Sequence, residues 1–235
     1  MNLVLATLKA GGLTVVGPPA SWAVHDWAVE DLESLELLAG GDSVDVVTGV
    51  TDAGQKDILP PMADAETSNS QGRIRSATPA DAAGILAIYA PIVESSAVSF
   101  ALEPPGREEF AHRILTVIED NPWLVKEHDG LITGYAYATL FRSRTAYSHT
   151  RESSVYVHPD HHGQGVGREL MLVLIEELSA RGAHRLVAGA TLPNPGSAAL
   201  HESLGFRFVG TFHEVGFKFD KWHDVGFWEL NLRDR

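Results

Sequence analysis

Glu152 opens the run ESSVYVHPDHHGQGVGR, in which a carboxylate, a β-type stretch and a glycine-spaced loop follow one another directly. Val155, Tyr156 and Val157 favour a strand, and Pro159 ends it because proline cannot donate to a central ladder. Gly163, Gly165 and Gly167 let backbone amides turn inward around an anion, and the helix that opens after them brings its positive dipole end to the same point. That is the layout of a phosphate cradle. It lacks the Gly-Lys-Ser/Thr ending of a nucleoside triphosphatase loop, and its glycines run GxGxG rather than the GxGxxG of a dinucleotide fold. Glu152 at the head of such a strand would be a proton acceptor beside a bound phosphate.

A second chemistry is excluded at the same place. His158, His161 and His162 cluster on the turn, but the phosphate reading already accounts for that turn. Neither a cysteine nor a second histidine pair completes a tetrahedral set, so no metal is expected.

These residues need a scaffold, and the composition bounds it. The 235 residues are 44% hydrophobic, enough for one large domain or one domain with an appendage. There is no uncharged apolar run long enough to cross a membrane. Met1 to Val16 is apolar but holds Lys9 inside the run and has no basic start, so a secretory signal is not expected. The absence of cysteine removes disulfides and thiol nucleophiles and fits a reducing cytoplasm. A net charge of -13 disfavours a nucleic-acid partner. The charge is uneven: residues 1–72 carry 11 acidic and 2 basic side chains, residues 73–235 carry 20 and 16. We therefore expect an N-terminal extension of unassigned role over 1–61, a polar linker over 62–72, and one domain over 73–235. In the extension, strands are expected at Leu3 to Leu8, Leu13 to Val16 and Val44 to Val50, with a helix from Val29 to Ala39. Met62 could itself start translation, so a fused remnant, an upstream misassignment and a small partner module stay open.

From Arg73 the pattern predicts a strand (Arg73 to Ser76) and then a helix opened by Thr78, Pro79 and Asp81, with Ile85, Ile88, Tyr89 and Ile92 at helical spacing. A helix follows over Arg107 to Ile118. Strands are expected over Trp123 to Lys126 and Leu131 to Phe141, joined by Asp129-Gly130. The strand Glu152 to His158 leads to a helix from Arg168 to Arg181, stopped by Gly182. Last come a strand (Arg185 to Ala190), a helix (Gly196 to Leu204) and strands near Phe206 to Phe212 and Val225 to Leu232. The order is α+β, with one helix joining two parallel strands.

From His162 to Gly167 the loop resembles the Q/R-x-x-G-x-G/A pyrophosphate motif of the GNAT acetyltransferase superfamily, with His162 where arginine or glutamine is usual. Imidazole is not permanently charged near neutral pH, which implies a weaker or more pH-dependent hold on coenzyme A. More specifically, residues 73–235 resemble the phosphinothricin acetyltransferase family. The blocks IRSATPAD, SFALEPP, NPWLVKEHDGLITGYAYA, FRSRTAY, ESSVYVHPDHHGQGVGR, NPGSAALHESLGF and VGFKFDKWHDVGFWEL carry the likeness, in the family's order. Residues 1–72 lie outside it. The resemblance implies the GNAT fold, a mixed and mostly antiparallel sheet flanked by helices, and a homodimer. It also implies acetyl-CoA as co-substrate and a glutamate-like amino acid as acceptor: phosphinothricin, methionine sulfoximine or a related arsenical.

On that resemblance Glu152 is the base that deprotonates the amine; a polar strand end is its alternative. His201 stands where many acetyltransferases place a tyrosine that protonates the leaving thiolate, and a packed core histidine is equally open. Val157 is the expected oxyanion donor. Val155 and Val157, with His162, Gly163, Gln164, Gly165, Val166, Gly167 and Arg168, are expected to hold the cofactor. Asn194 is expected on the pantetheine arm, with Ser197 as its partner or a helix cap. Arg142, Arg144 and Tyr147 suit a carboxylate or phosphinate clamp, a solvated loop being the alternative. Phe141 stands where the family often has Trp, and Phe100 lines the same cleft or belongs to the core. Trp222, His223 and Asp224 are assigned to packing or a subunit interface. Acetylation of peptide N-termini or polyamines, and a coenzyme A-binding regulatory module, remain as rival readings.

Overall fold

The computed structural model describes residues 72–233. The elements expected within residues 1–61, and the linker as far as residue 71, lie outside the described residues. In chain order the elements are β1 (Arg73–Ser76), α1 (Ala82–Ser95), α2 (Arg107–Asp120), β2 (Trp123–His128), β3 (Leu131–Leu140), β4 (Thr150–Val157), α3 (Val166–Ala180), β5 (Arg185–Thr191), α4 (Pro195–Ser203), β6 (Arg207–Lys218) and β7 (Lys221–Asn231). They build a seven-stranded sheet in the order β1-β2-β3-β4-β5-β7-β6. Every adjacent pair is antiparallel except β4 and β5, which α3 joins as a crossover.

Because side chains alternate across a strand, the sheet has two apolar faces, and each carries a helix layer. On one face Leu170, Met171, Leu174, Ile175 and Leu178 of α3 pack with Leu186, Ala188 and Trp228. On the other, Ile85 and Ile88 of α1 with Phe110 and Ile114 of α2 cover Trp123, Tyr135 and Tyr137. Full burial of each such side chain contributes about 1.5–3 kcal/mol. The site therefore rests on a core packed from both sides.

The start of α1 is pinned by a charged knot. Arg75 donates to both oxygens of Asp81 at 2.8 Å, and Thr78 adds its N–H at 2.8 Å and its hydroxyl at 3.0 Å. The Arg75 hydrogen bond is the main force holding the Asp81 carboxyl below its usual range. With the folded value below the unfolded one, this contribution to stability is present above about pH 4. It is lost as pH falls through the folded value. Asp81→Asn is expected to lower stability by about 1–3 kcal/mol at pH 7. Urea titrations should show the deficit shrinking as pH falls below about 4.

The last two strands are longer than the pattern suggested. Instead of stopping near Phe212, β6 continues to Lys218 and turns at Phe219-Asp220 into β7. The turn has no glycine, yet both its residues adopt left-handed backbone, with φ of 53° and 55°. Register shifts at Phe208/Gly210 and Phe212/Gly216 further disguise the strand.

Candidate active site

β4 and β5 begin as paired parallel strands and then separate. Their register runs from Thr150↔Arg185 to Ser153↔Ala188 and stops, although β4 continues to Val157 and β5 to Thr191. On its other side β4 stays paired with β3 through Val157. His158 N–H donates to Thr133 O at 2.9 Å, which fixes the alternation: Glu152, Ser154 and Tyr156 direct their backbone groups to β3. The N–H groups of Val155 and Val157 consequently point into the opening that β5 has left. An unpaired pair of strand amides in a cleft is an acceptor-binding device.

The glycine loop stands at the mouth of this opening. Gly163 and Gly165 have φ of 73° and 84°, and α3 starts at Val166 immediately after. The first N–H groups of α3 have no partner within the helix. Side chains of the loop brace it: Gln164 donates its amide to Asp160 O at 2.8 Å, and His158 Nδ1 accepts the Asp160 N–H at 3.3 Å. His162 does not reach over the cradle. Its Nε2 donates to Val157 O at 3.0 Å, tying the loop to the end of β4. Arg168 is exposed in the first turn of α3. Buried Lys126 reaches up from β2 to Glu169 at 2.7 Å and fixes that turn over the sheet.

α4 forms the opposite bank. Asn194, rather than Ser197, caps it: its Oδ1 accepts the Ser197 N–H at 3.0 Å and so fixes the helix start. Gly167 sits where α3, β4 and α4 meet: a Cβ there would lie 3.4 Å from Val157 and 3.5 Å from Leu200. His201 lies deeper than a proton donor to a thiolate should. It is 4% exposed, packed between Phe206 and Trp228 at ring-centroid distances of 5.1 and 5.7 Å. Burial pushes its pKa below the ordinary histidine value, against a Ser197 backbone hydrogen bond that raises it. Near neutral pH it has already lost the proton it would donate. The core alternative is the one this geometry supports.

Glu152 lies on the face of the sheet covered by α1 and α2, in alternation with Tyr156, and is half-buried. The loop from Phe141 to His149 leaves β3 and returns to β4 two residues before it. Arg142, Arg144 and Tyr147 are all exposed on that loop. Arg142 stacks on Phe141 at 4.2 Å from the ring centroid, and Tyr147 meets Phe141 edge-on at 5.9 Å. Phe100 is 5% exposed, its ring centroid 6.0 Å from that of His223. An open groove of about 910 Å³ runs between Asn194, Ala198, Glu214, Trp222 and Asp224. Its wall of Leu192, Asn194 and Ala198 joins the end of β5 to the start of α4.

Sequence reasoning missed Thr191, Tyr89, Ser99 and Lys218, which tie the α1–α2 loop to this site. Their contacts span as many as 125 positions, so no local spacing announces them. The one available signal was a lysine in the strand-like run before Trp222.

The acetyltransferase (GNAT) domain profile matches residues 74–226. A phosphinothricin N-acetyltransferase of Streptomyces viridochromogenes is 40% identical over 68% of this chain and 87% of its own. An L-amino acid N-acyltransferase of Escherichia coli is 39% identical over 69% and 95%. Among solved structures, a phosphinothricin acetyltransferase of Sinorhizobium meliloti in complex with acetyl-CoA superposes with a TM-score of 0.66 at 34% identity, covering 68% of this chain and 88% of that one. A Salmonella typhimurium acetyltransferase with its cofactor acetyl-CoA gives 0.67 at 38%, over 69% and 95%. The matched profile and these relatives together show that the chain belongs to the GNAT acetyltransferase family.

Proposed function

We propose that this protein transfers the acetyl group of acetyl-CoA to the free amine of a glutamate-like amino-acid analogue, phosphinothricin and methionine sulfoximine being the representative acceptors. The observation that carries the reading is the parting of β4 from β5, with Glu152 at its closed end and the glycine cradle at its mouth. The names of relatives acting on phosphinothricin and methionine sulfoximine support the choice of acceptor.

The loop and the first turn of α3 hold the pyrophosphate, and Val157 N–H meets the pantetheine arm inside the opening. At about 3.3 Å per residue, Val157 lies about 16 Å along β4 from Glu152, and Val155 about 10 Å. Val155 is the first N–H beyond the last β4–β5 pair, so it, rather than the expected Val157, is the better oxyanion donor. Glu152 takes one proton from the ammonium, directly or through a water, and the freed nitrogen attacks the thioester carbon. Val155 N–H holds the oxyanion, the C–S bond breaks, and the second nitrogen proton leaves with the thiolate. Arg142 and Arg144 clamp the acceptor's anionic groups. His201 carries no proton in this scheme, so His201→Phe, which keeps an aromatic ring but removes the imidazole, is expected to keep kcat within about threefold. A hundredfold loss with unchanged folding would restore it as the acid.

The acting form is a homodimer in the cytoplasm. Phe217, Phe219 and Trp222 at the tip of the β6–β7 hairpin are 51%, 56% and 58% exposed, beside the 910 Å³ groove. A contiguous aromatic patch of this kind suits a self-association surface. Trp222→Lys is expected to halve the mass seen by light scattering. The function itself is tested by thiol release from acetyl-CoA with phosphinothricin, methionine sulfoximine, glutamate, a polyamine and an N-terminal peptide as separate acceptors. Release confined to the polyamine or the peptide would overturn the reading.

A further inference from the structure

The loop joining α1 to α2 is anchored to both arms of the opening. Thr191, the last residue of β5, donates its hydroxyl to Ala97 O at 2.7 Å. The Tyr89 and Ser99 hydroxyls lie 2.8 Å apart, and the Tyr89 ring packs edge-on against Tyr156 of β4 at 5.4 Å. One loop thus touches β5 directly and β4 through a single tyrosine. By strand alternation Thr191, Glu152 and Tyr156 share the face away from α3. The loop therefore closes the side of the opening opposite the phosphate cradle.

A third anchor comes from the far edge of the sheet. Lys218 of β6 is 3% exposed, and its Nζ donates to Val93 O at 2.6 Å and Ser99 O at 2.9 Å. Val93 O belongs to the last turn of α1, whose carbonyls lack helical partners and carry the negative dipole end. Both partners are neutral carbonyls, and burial alone pulls the lysine pKa down. An apolar side chain of similar length would fill the same space without desolvating a charge. What it would not do is hold two carbonyls from different segments. Next to it, the Phe100 ring occupies the place a Cβ on Gly216 would need, so β6 admits the loop only with a glycine there.

We infer that Lys218 and Thr191 are positioning residues for the acceptor: together they hold Ala97 to Phe100 as the wall of the acceptor pocket on the Glu152 side. This assignment rests on the acetyltransferase reading above. Lys218 acts on the amino-acid substrate through the loop, without touching it.

The test compares wild type, Lys218→Met and Thr191→Val in steady-state acetylation of phosphinothricin, with hydrogen exchange of residues 96–101 measured in parallel. Lys218→Met is expected to raise the acceptor KM at least about tenfold and Thr191→Val about threefold, with the acetyl-CoA KM within about twofold in both. Exchange in the loop should quicken in the same order. Thr191→Val removes one hydroxyl from the other arm and keeps the test open if Lys218→Met does not fold. Folded variants whose acceptor KM is unchanged, or whose two KM values rise together, would overturn the assignment and leave the enzyme's function intact. Absence of turnover in wild type with every amino-acid analogue would overturn the functional reading and this assignment with it.

Discussion

Glu152→Gln is expected to lower kcat about 10²–10⁴-fold, the usual range for removing a positioned general base. The amide keeps the shape of the side chain and its place in β4 but cannot take a proton. Acetyl-CoA affinity should stay within about twofold, because Glu152 stands at the closed end of the opening while the cradle stands at its mouth. Calorimetric titration with coenzyme A and single-turnover acetylation separate the two quantities. The loss should also shrink as pH rises, since more of the amine arrives already deprotonated as pH approaches its pKa, which in a free amino acid lies above the peptide α-amino value of about 8. A variant with wild-type turnover at pH 7 would remove Glu152 from the mechanism.

Gly165→Val should act on the other half of the site. At φ 84° this residue turns the chain into α3, a backbone conformation that a β-branched side chain enters only under strain. A cost of about 1–3 kcal/mol is typical for such a residue. If it falls on the phosphate-binding conformation, acetyl-CoA binds roughly 5- to 150-fold more weakly. The acceptor KM should hardly move. Gly182→Asn, placed at φ 81° just past the other end of α3, is the matched control, since asparagine tolerates left-handed backbone. Equal coenzyme A affinity in wild type and Gly165→Val would mean that the loop does not bind phosphate.

Local signals carried much of this. The 3.6-residue stripe from Leu170 to Leu178 was readable because α3 buries one side only, and Gly182 ends it at φ 81°. The succession Val155, Pro159, Gly163, Gly165 located the end of β4, the glycine turn and the start of α3 to within about two residues. What stayed hidden depends on separation in sequence. Nothing in Glu152 to Val157 says that β5 lets go after Ser153, and that release decides which β4 amides are left without a strand partner. His201 reads as a catalytic imidazole until Phe206 and Trp228 are seen around it. His162 reads as a phosphate ligand until its ring is found on Val157 O. Arg142 and Arg144 were legible as residue types only, because a loop between two strands does not record its own direction.

In the proposed site the donors that face acetyl-CoA are main-chain amides, those of Val155 and Val157 in β4 and those of the turn into α3. A conventional alanine scan leaves every one of them in place, so a map of inactive variants would underreport this machinery and make the enzyme look as though it worked with one carboxylate and two arginines. Chemical semisynthesis with an ester in place of the 154–155 peptide link would make the hidden half visible. The same property favours diversification: side chains on the acceptor face can be exchanged wholesale in a selection for new amines while the acetyl-transfer apparatus is inherited unchanged.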